Sequence, residues 1–466
     1  MSRRPLALAL ALALLPAAAQ ADDLLQSYQK ARSSDPQYAA AEASRNAAQE
    51  GAVQARAAML PQIDGSAGYS RSDSDSTGVQ VFGSVPFPSD SSQESTTRNW
   101  GVNVDQMVFD YSRISTLRSQ KALGRASDFT LEAAGDSLIT RTAAAYFNVL
   151  IALETLAAAE AAEIALKKQF DFASKRLEVG LAPITDVHEA RAQYDAARAN
   201  TILTRNALED AYQALAEITG RPMRSLKGLP DDFRPAIPEE RDADSWVRTA
   251  LENNPTLRSL QEQLAAAEAD VETARAGHYP SLYFNGTYGN RRTNGDNTNN
   301  LNDTTIAFEN GGKGTTLSLN LRVPIFAGGA TQSRVRQALA QRDARAGQLE
   351  QQRRAVERST RNAYQSLLAG ISEVEARRLA LVAAKSASEA SQVGLEVGTR
   401  TVLDVLNNQR TLFEAQREYA RAKYNSLQAR LNLEQAAGTL QVSDVEDVNR
   451  MLTTDESVAT ALGTVQ

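Results

Sequence analysis

Side chains that could do chemistry are scarce in this chain of 466 residues. Its two histidines, His188 and His278, lie far apart, and the chain has no cysteine, no glycine-rich phosphate loop and no zinc-ligand spacing. A lone histidine is far more often a surface or packing residue than a ligand. The sequence therefore argues against an enzyme, and it predicts no catalytic residue, no metal site and no cofactor.

Two aspartates stand out because their surroundings repeat. Asp186 lies in VGLAPITDV (179–187) and Asp404 in VGTRTVLDV (397–405), about 218 residues further on. In both segments a glycine follows a valine, where it can end a helix in the left-handed conformation. Thr185 and Asp186 lie where they could cap or brace the next helix. The alternative, that both aspartates are ordinary surface residues of helices, stays open.

The two segments belong to a repeat that covers most of the chain. Pairs at nearly the same spacing are Asp35-Pro36 with Asn254-Pro255, Leu60-Pro61 with Tyr279-Pro280, Phe109 with Phe326, Tyr146 with Tyr364, and Gly220 with Gly438. We expect a first structural repeat over 22–220, a proline-rich connector over 221–245, a second repeat over 246–440 and a C-terminal tail over 441–466.

Long helices are expected where proline is missing. No proline occurs between Pro88 and Pro183 or after Pro324, so both intervals can hold uninterrupted helices. On this basis we predict two long helices, over 110–179 and 329–397. In the first half we also predict two shorter partner helices, over 22–58 and 184–219. A helix over 110–179 would be about 105 Å long.

The first long helix carries two adjacent seams of apolar and small residues at spacings of three and four. The seams are Leu138, Thr142, Ala145, Val149, Ala152, Leu156 and Ala159, and Ile139, Ala143, Tyr146, Leu150, Leu153 and Ala157. Two seams suit a helix with a neighbour on each side, as in a closed ring of helices. An ordinary long helical bundle is the alternative.

Between the helices the apolar period changes to two, which is typical of strands. The alternating apolar faces are Ile63, Gly65, Ala67 and Tyr69; Trp100, Val102 and Val104; Leu282, Phe284 and Tyr288; and Leu317, Leu319, Leu321 and Val323. We predict two strands in each half, joined by polar loops over 72–98 and 291–313. Four strands cannot close a transmembrane barrel, which needs about eight, so a barrel would be shared between chains. A soluble two-sheet protein is the alternative.

The first 21 residues have the pattern of a secretory signal peptide, with basic residues, an apolar core and a small-residue cleavage site before Asp22. An uncleaved membrane anchor is the alternative. The net charge is -6, which argues against a nucleic-acid partner, because such a partner needs a basic face. We therefore expect an exported protein.

This chain resembles the TolC family of outer-membrane efflux and secretion channels in several segments that occur in the same order as in the family. They are LLQSYQKARSSDP, ARAAMLPQI, VGLAPITDVHEARAQYDAARAN, VGTRTVLDVL and AAGTL. The resemblance implies a mixed α and β fold and a homotrimer, in which twelve strands, four per chain, form a transmembrane β-barrel. This barrel continues into a long periplasmic α-helical coiled-coil barrel.

The resemblance also implies a function in the outer membrane of a Gram-negative bacterium. Surrounded by outer-membrane lipid, the protein would be a passive exit duct of a tripartite efflux pump or a type I secretion system. Its partners would be a periplasmic adaptor and an inner-membrane transporter of the RND, ABC or MFS type.

Residue roles follow from the same resemblance. Tip residues implied to contact the adaptor are Gly180, Leu181, Gly398 and Thr399. An entrance latch would join Arg400 to Thr185 and Asp186, and Asp404 and Asn407 would line the pore constriction. The chain departs from the family pattern at Leu395, where a latch tyrosine is expected, and at Asn407, where a second aspartate is expected. These departures imply a closed state that rests on fewer polar links.

Two other classes of protein stay open from the sequence. A periplasmic coiled-coil adaptor would have one central hairpin and soluble sheets, and an exported enzyme would need a reactive cluster. The cargo is also open, since a wide polar tunnel suits both drugs and whole proteins.

Overall fold

The computed structural model describes residues 22–181, 183–230, 232–235 and 242–456. The predicted signal peptide, 1–21, lies outside these residues. Contacts divide the chain into two compact units. The helical unit comprises the residues up to Arg45, Asp128–Ser259 and those from Leu349 on, and the sheet unit comprises Asn46–Ser127 and Leu260–Gln348.

Helices and strands alternate in the same order in the two halves of the chain. The helices of the described residues are α1 Leu24–Ser34, α2 Pro36–Ala57, α3 Tyr111–Glu178, α4 Ile184–Thr219, α5 Ala243–Asn253, α6 Pro255–Arg275, α7 Ala330–Glu396, α8 Val402–Ala437 and α9 Val442–Met451. The strands are β1 Gln62–Phe82, β2 Val85–Phe109, β3 Leu226–Gly228, β4 Ser281–Asn299, β5 Thr304–Arg322 and β6 Thr454–Glu456.

The two long helices are confirmed as α3, with 68 residues, and α7, with 67. Each is about 100 Å long at 1.5 Å per residue. Across the described ranges, none of the helices combines the length and the apolar character needed to cross a membrane.

Proline divides the predicted helix over 22–58 into α1 and α2. Asp35 adopts an extended conformation, because a residue before proline is disfavoured in the helical region. Its carboxylate accepts a hydrogen bond from the Tyr38 backbone N–H at 2.8 Å, so it caps α2. In the second half, Asn254 accepts from the Leu257 N–H at 3.1 Å in the same way.

The helical unit contains the largest apolar core, and the two predicted seams of α3 lie in it. Leu138, Thr142 and Val149 of the first seam are fully buried, as are Tyr146 and Leu150 of the second. The buried stripe is therefore wider than a two-stranded coiled coil requires. This confirms that α3 has neighbours along both seams.

The sheet unit contains one four-stranded antiparallel sheet in the order β1-β2-β4-β5. The predicted strands are confirmed, but the predicted polar loops, 72–98 and 291–313, are wrong. Pairing continues through them, for example between Asp73 and Glu94, and the connections are only 83–84 and 300–303. Most of the side chains there are polar, so the composition is typical of loops.

The C-terminal tail completes the helical unit by packing beside the first described residues. Strand β6 pairs with β3 in the connector, and Asp22 forms a bridge to Leu226. The Asn449 side chain of α9 accepts a hydrogen bond from the Leu24 N–H at 3.0 Å. The tail therefore supplies a partner for the first turn of α1, 425 positions earlier.

Candidate functional site

The segment VGLAPITDV ends α3 in a tight turn. The Gly180 N–H donates to the Leu177 carbonyl at 2.9 Å, and the Leu181 N–H donates to the Arg176 carbonyl at 2.7 Å. This pair of bonds is a Schellman motif, which satisfies carbonyls that the end of a helix would leave unpaired.

The segment VGTRTVLDV ends α7 with the same two bonds. The Gly398 N–H donates to the Leu395 carbonyl at 3.2 Å, and the Thr399 N–H donates to the Gly394 carbonyl at 2.8 Å. The repeated motif therefore encodes one type of turn, which the chain uses twice.

Glycine is needed at both turns because of the backbone conformation. Gly180 has a φ of 74° and Gly398 a φ of 79°, in the left-handed region that other residues rarely adopt. A Cβ atom added at either position would meet nothing within 4 Å. Steric crowding is therefore not the reason for glycine at these positions. The prediction that these glycines end the long helices in the left-handed conformation is confirmed.

The helices that follow the turns begin differently. Thr401 caps α8, because its hydroxyl accepts from the Asp404 N–H at 3.2 Å while the Asp404 carboxylate accepts from the Thr401 N–H at 2.9 Å. This reciprocal arrangement is a capping box. At α4 the cap position holds Pro183, without a side-chain hydrogen bond. Thr185 and Asp186 are predicted to cap or brace this helix. Neither caps it, because both lie within its first turn, where the Asp186 carboxylate is next to the positive end of the helix dipole.

Asp404 is held as an anion at the start of α8. Hydrogen bonds from the Thr401 backbone and hydroxyl lower the pKa of its carboxyl, and the positive charge of Arg400 lowers it further. Asn407, one helical turn further on, is exposed and neutral. The two residues predicted to line the constriction therefore present one fixed charge per chain.

Arg400 lies beside Asp404 in sequence and folds back over the α7 turn. Its Cγ would be only 2.6 Å from a Cβ added to Gly394, so the absence of a side chain at Gly394 makes room for it. Within the described part of the chain, the Arg400 guanidinium makes no hydrogen bond or ion pair. The predicted latch from Arg400 to Thr185 and Asp186 stays a prediction.

An apolar cluster anchors both turns. Its buried members are Leu166, Ala173, Ala190, Leu395, Val402, Val405 and Leu406. Leu395 is only 6% exposed, so the side chain at the expected tyrosine position packs inward and offers no hydroxyl. Phe170 and Tyr194 stack beside the cluster with ring centroids 6.2 Å apart. Sequence reasoning missed this pair, although two aromatic residues in the segments flanking the first turn are a detectable signal.

The outer surface of the turns is apolar. Val179, Leu181 and Val397 are 67%, 68% and 67% exposed. These three aliphatic side chains expose apolar surface at the turns that end α3 and α7. Among the residues described, no group of acidic or histidine side chains could hold a metal ion.

A groove of about 270 Å³ lies between α3, α4 and α8 in the helical unit. Small residues such as Ala158, Ala159 and Ala197 line it, together with Arg410 and Arg417. A groove of this composition can accept a helix of a partner protein, because small side chains allow close approach.

The sequence profile of the family described as outer membrane efflux protein matches residues 27–221 and 246–439. The outer membrane protein TolC of Vibrio cholerae is 34% identical over 445 residues, which cover 96% of this chain and 97% of that relative. The alkaline protease secretion protein AprF of Pseudomonas aeruginosa is 29% identical over 440 residues, covering 94% and 88% of the two chains.

A solved structure with a similar fold is the CmeC outer membrane channel of Campylobacter jejuni. Its TM-score is 0.72, with 92% of this chain and 89% of that chain covered. Since the identity is only 19%, this likeness supports the fold alone.

Proposed function

This chain belongs to the outer membrane efflux protein family, and we propose that three copies of it form a single duct. The protein is located in the outer membrane and is an exit duct for efflux or type I secretion. The family is one of channels, so the adaptor and enzyme alternatives are set aside.

The observation that carries the trimer proposal is the pair of open sheet edges. Strands β1 and β5 lie at the two edges of the four-stranded sheet, and they contain 21 and 19 residues. In lipid, each unpaired backbone group costs several kcal/mol. Pairing β5 of one copy with β1 of the next would remove both edges, and three copies would give twelve strands in a closed barrel.

We further propose that the two halves, 22–220 and 246–440, are structural repeats that build the duct wall. Residues 221–245 would be the connector between them, and 441–466 a tail that docks onto the first residues. The matching order of helices and strands in the two halves supports this division.

The entrance of the duct is proposed to be the pair of turns. Three copies of Asp404 would form an acidic ring, with Asn407 beside it, and Arg400 would reach Asp186 or Thr185 on an adjacent helix. The unpaired guanidinium of Arg400 and the fixed charge of Asp404 support these roles.

A periplasmic adaptor is the proposed partner at the tips. It would contact Gly180, Leu181, Gly398 and Thr399, and it would join the duct to an inner-membrane transporter of the RND, ABC or MFS type. The exposed aliphatic residues of the turns and the groove with small side chains support this contact.

The proposal is tested by purifying the protein from the outer-membrane fraction in detergent. We expect a detergent-stable trimer that forms conducting channels in planar lipid bilayers. A monomer that stays soluble without detergent, or a trimer without conductance, would contradict the proposal.

A further inference from the structure

One face of the sheet is apolar near the helices and charged further along. Direct partners in an antiparallel sheet share a face. Ile63 pairs with Val104, Val104 with Gly286, and Gly286 with Leu317, so these four residues define this face across all four strands. Near the helices its large side chains are mostly apolar, and Ile63 and Leu317 are 68% and 69% exposed. We call this surface the outer face, because in the proposed barrel an exposed apolar face contacts lipid.

Aromatic side chains mark the far border of the apolar region. Trp100 and Tyr288 lie on adjacent strands with their ring centroids 5.7 Å apart, edge to face. Tyr69 lies beyond them on the same face and is 67% exposed. Tryptophan and tyrosine are enriched where a membrane protein passes from hydrocarbon to headgroups.

Three cations lie at this border on the outer face. Arg98 pairs in register with Arg292, and Lys313 pairs with Asn290, two residues before Arg292. The Arg98 guanidinium is 5.9 Å from the centroid of the Tyr69 ring. Throughout the described residues, none of the three has an ion-pair partner. We call Arg98, Arg292 and Lys313 the cationic row.

Acidic residues on this face lie further towards the hairpin turns. Glu94 pairs in register with Asp296, and Glu309 pairs with Asn294. Glu94 is neutralised in part by an ion pair with Arg71. Charge is therefore separated along the strands, with unpaired cations beside the apolar region and carboxylates beyond them.

Two members of the cationic row, Arg98 and Arg292, line an open depression of about 710 Å³. Side chains from all four strands line it, and besides Tyr69 and the two arginines they include the carboxylates of Glu94, Asp296 and Glu309. The carboxylates lie towards the hairpin turns, so the end of the depression next to the apolar region is the cationic one. Two guanidinium groups at that end favour a ligand with phosphate groups, because the planar fork of arginine matches phosphate geometry.

The distance along the strand identifies the membrane leaflet. Leu282 begins the apolar region of β4, and Arg292 follows about ten residues later, which is roughly 33 Å along a strand. With a strand tilt of about 40°, the height is roughly 25 Å, the thickness of an outer-membrane apolar band. The row lies on the side of the hairpin turns, away from the helices, so it would reach the headgroups of the external leaflet.

From these observations we infer that the cationic row binds the phosphate groups of a phosphorylated lipid in the external leaflet. The acyl chains of that lipid contact the apolar part of the outer face, and its phosphates contact Arg98 and Arg292. This inference rests on the proposed trimeric barrel. The surface surrounds the duct and is distinct from the turns at its entrance.

The test compares two purified lipids on the detergent-solubilised trimer by native mass spectrometry. One is lipid A with two phosphates, and the other is the same lipid after enzymatic removal of both phosphates. We expect the wild type to prefer the phosphorylated lipid. The double variant Arg98→Gln/Arg292→Gln should lose about 25-fold in affinity for it, at about fivefold per cation near an anionic lipid surface.

Arg291→Gln is the matched control, because Arg291 is the neighbour of Arg292 on the same strand and points to the opposite face. We expect this variant to bind the phosphorylated lipid as the wild type does. Inorganic phosphate at millimolar concentration should not displace the lipid, because it lacks the acyl chains that contact the apolar face.

Several results would overturn the inference. They are equal binding of the two lipids by the wild type, equal losses in Arg291→Gln and the double variant, and displacement by inorganic phosphate. Conductance in phosphatidylcholine bilayers separates this failure from that of the proposed function: a conducting wild type without lipid preference refutes only the lipid site. A wild type that neither trimerises nor conducts refutes both.

Discussion

Glu434 should make the stability of the helical unit decrease as the pH rises towards neutrality. The side chain is buried near the end of α8, where Arg430 Nε lies 3.2 Å from one carboxylate oxygen. Within the described residues the other oxygen has no hydrogen-bond partner. Arg430 is shared with Asp447 at 3.6 Å. Burial and the neighbouring Asp444 outweigh this shared cation, and they raise the pKa of Glu434 to about 7.

The size and sign of the effect follow from linkage. An unfolded glutamate has a pKa near 4.5, so the folded state binds the proton more tightly. The resulting stabilisation is fully present below pH 4.5 and is lost as the pH rises through 7. The shift corresponds to about 3 kcal/mol per chain between these limits. Burial also raises the pKa of Asp444, which adds a pH dependence of the same sign.

The perturbation that tests this is Glu434→Gln, which keeps the shape of the side chain and removes its charge. We expect the thermal unfolding midpoint of the wild-type protein, followed by far-ultraviolet circular dichroism, to decrease between pH 4.5 and 8. The variant should show a weaker decrease, with the remainder due to Asp444. Above pH 7 it should be more stable than the wild type.

Glu414→Gln is the control. Glu414 lies four residues after Arg410 on the same helix, as Glu434 does after Arg430, but the two groups are 3.9 Å apart and Glu414 is 57% exposed. Its replacement should leave the pH profile unchanged. Parallel profiles for the wild type and Glu434→Gln would refute the reasoning, because the buried carboxyl would then not be the group that titrates.

Further predictions concern the entrance turns. Asp404→Ala should strongly weaken the block of single-channel current by divalent cations, while Asn407→Asp should strengthen it by adding three carboxylates; equal block in the wild type and Asp404→Ala would exclude Asp404 from the pore. Arg400→Ser should raise the conductance by loosening the entrance, and an unchanged conductance would count against the latch. Gly398→Ala should destabilise each chain by about 1 kcal/mol, because alanine is strained at positive φ. The control Gly347→Ala, inside helix α7, should stabilise by a similar amount, and thermal unfolding that shows the same sign for both variants would contradict the conformational argument.

Local patterns predicted the elements that depend on local physics. The absence of proline allowed the two long helices, and the glycines after Val179 and Val397 ended them where expected, because only glycine tolerates that backbone conformation readily. Apolar alternation placed the strands next to the helices. The seams of α3 indicated a helix with two neighbours before any neighbour was known.

What the sequence could not predict depends on pairing between distant residues. The polar stretches 72–98 and 291–313 are strands because each has a partner in register, although their many Ser, Thr, Asn and Asp residues are typical of loops. The different caps of α4 and α8 have a local cause instead, since Pro183 occupies the position that Thr401 has in the second motif and offers no side-chain acceptor.

The sequence by itself determined where the two long helices run and end and which family the chain resembles, because these properties depend on nearby residues and on short motifs. Only the tertiary structure decided that Asn449 caps the first turn of α1, that Leu395 packs inward, and that unpaired cations border the apolar face of the sheet. The physical reason is that hydrogen bonds, burial and charge pairing join residues hundreds of positions apart. The partner of each such group is fixed by the fold and has no counterpart in local composition.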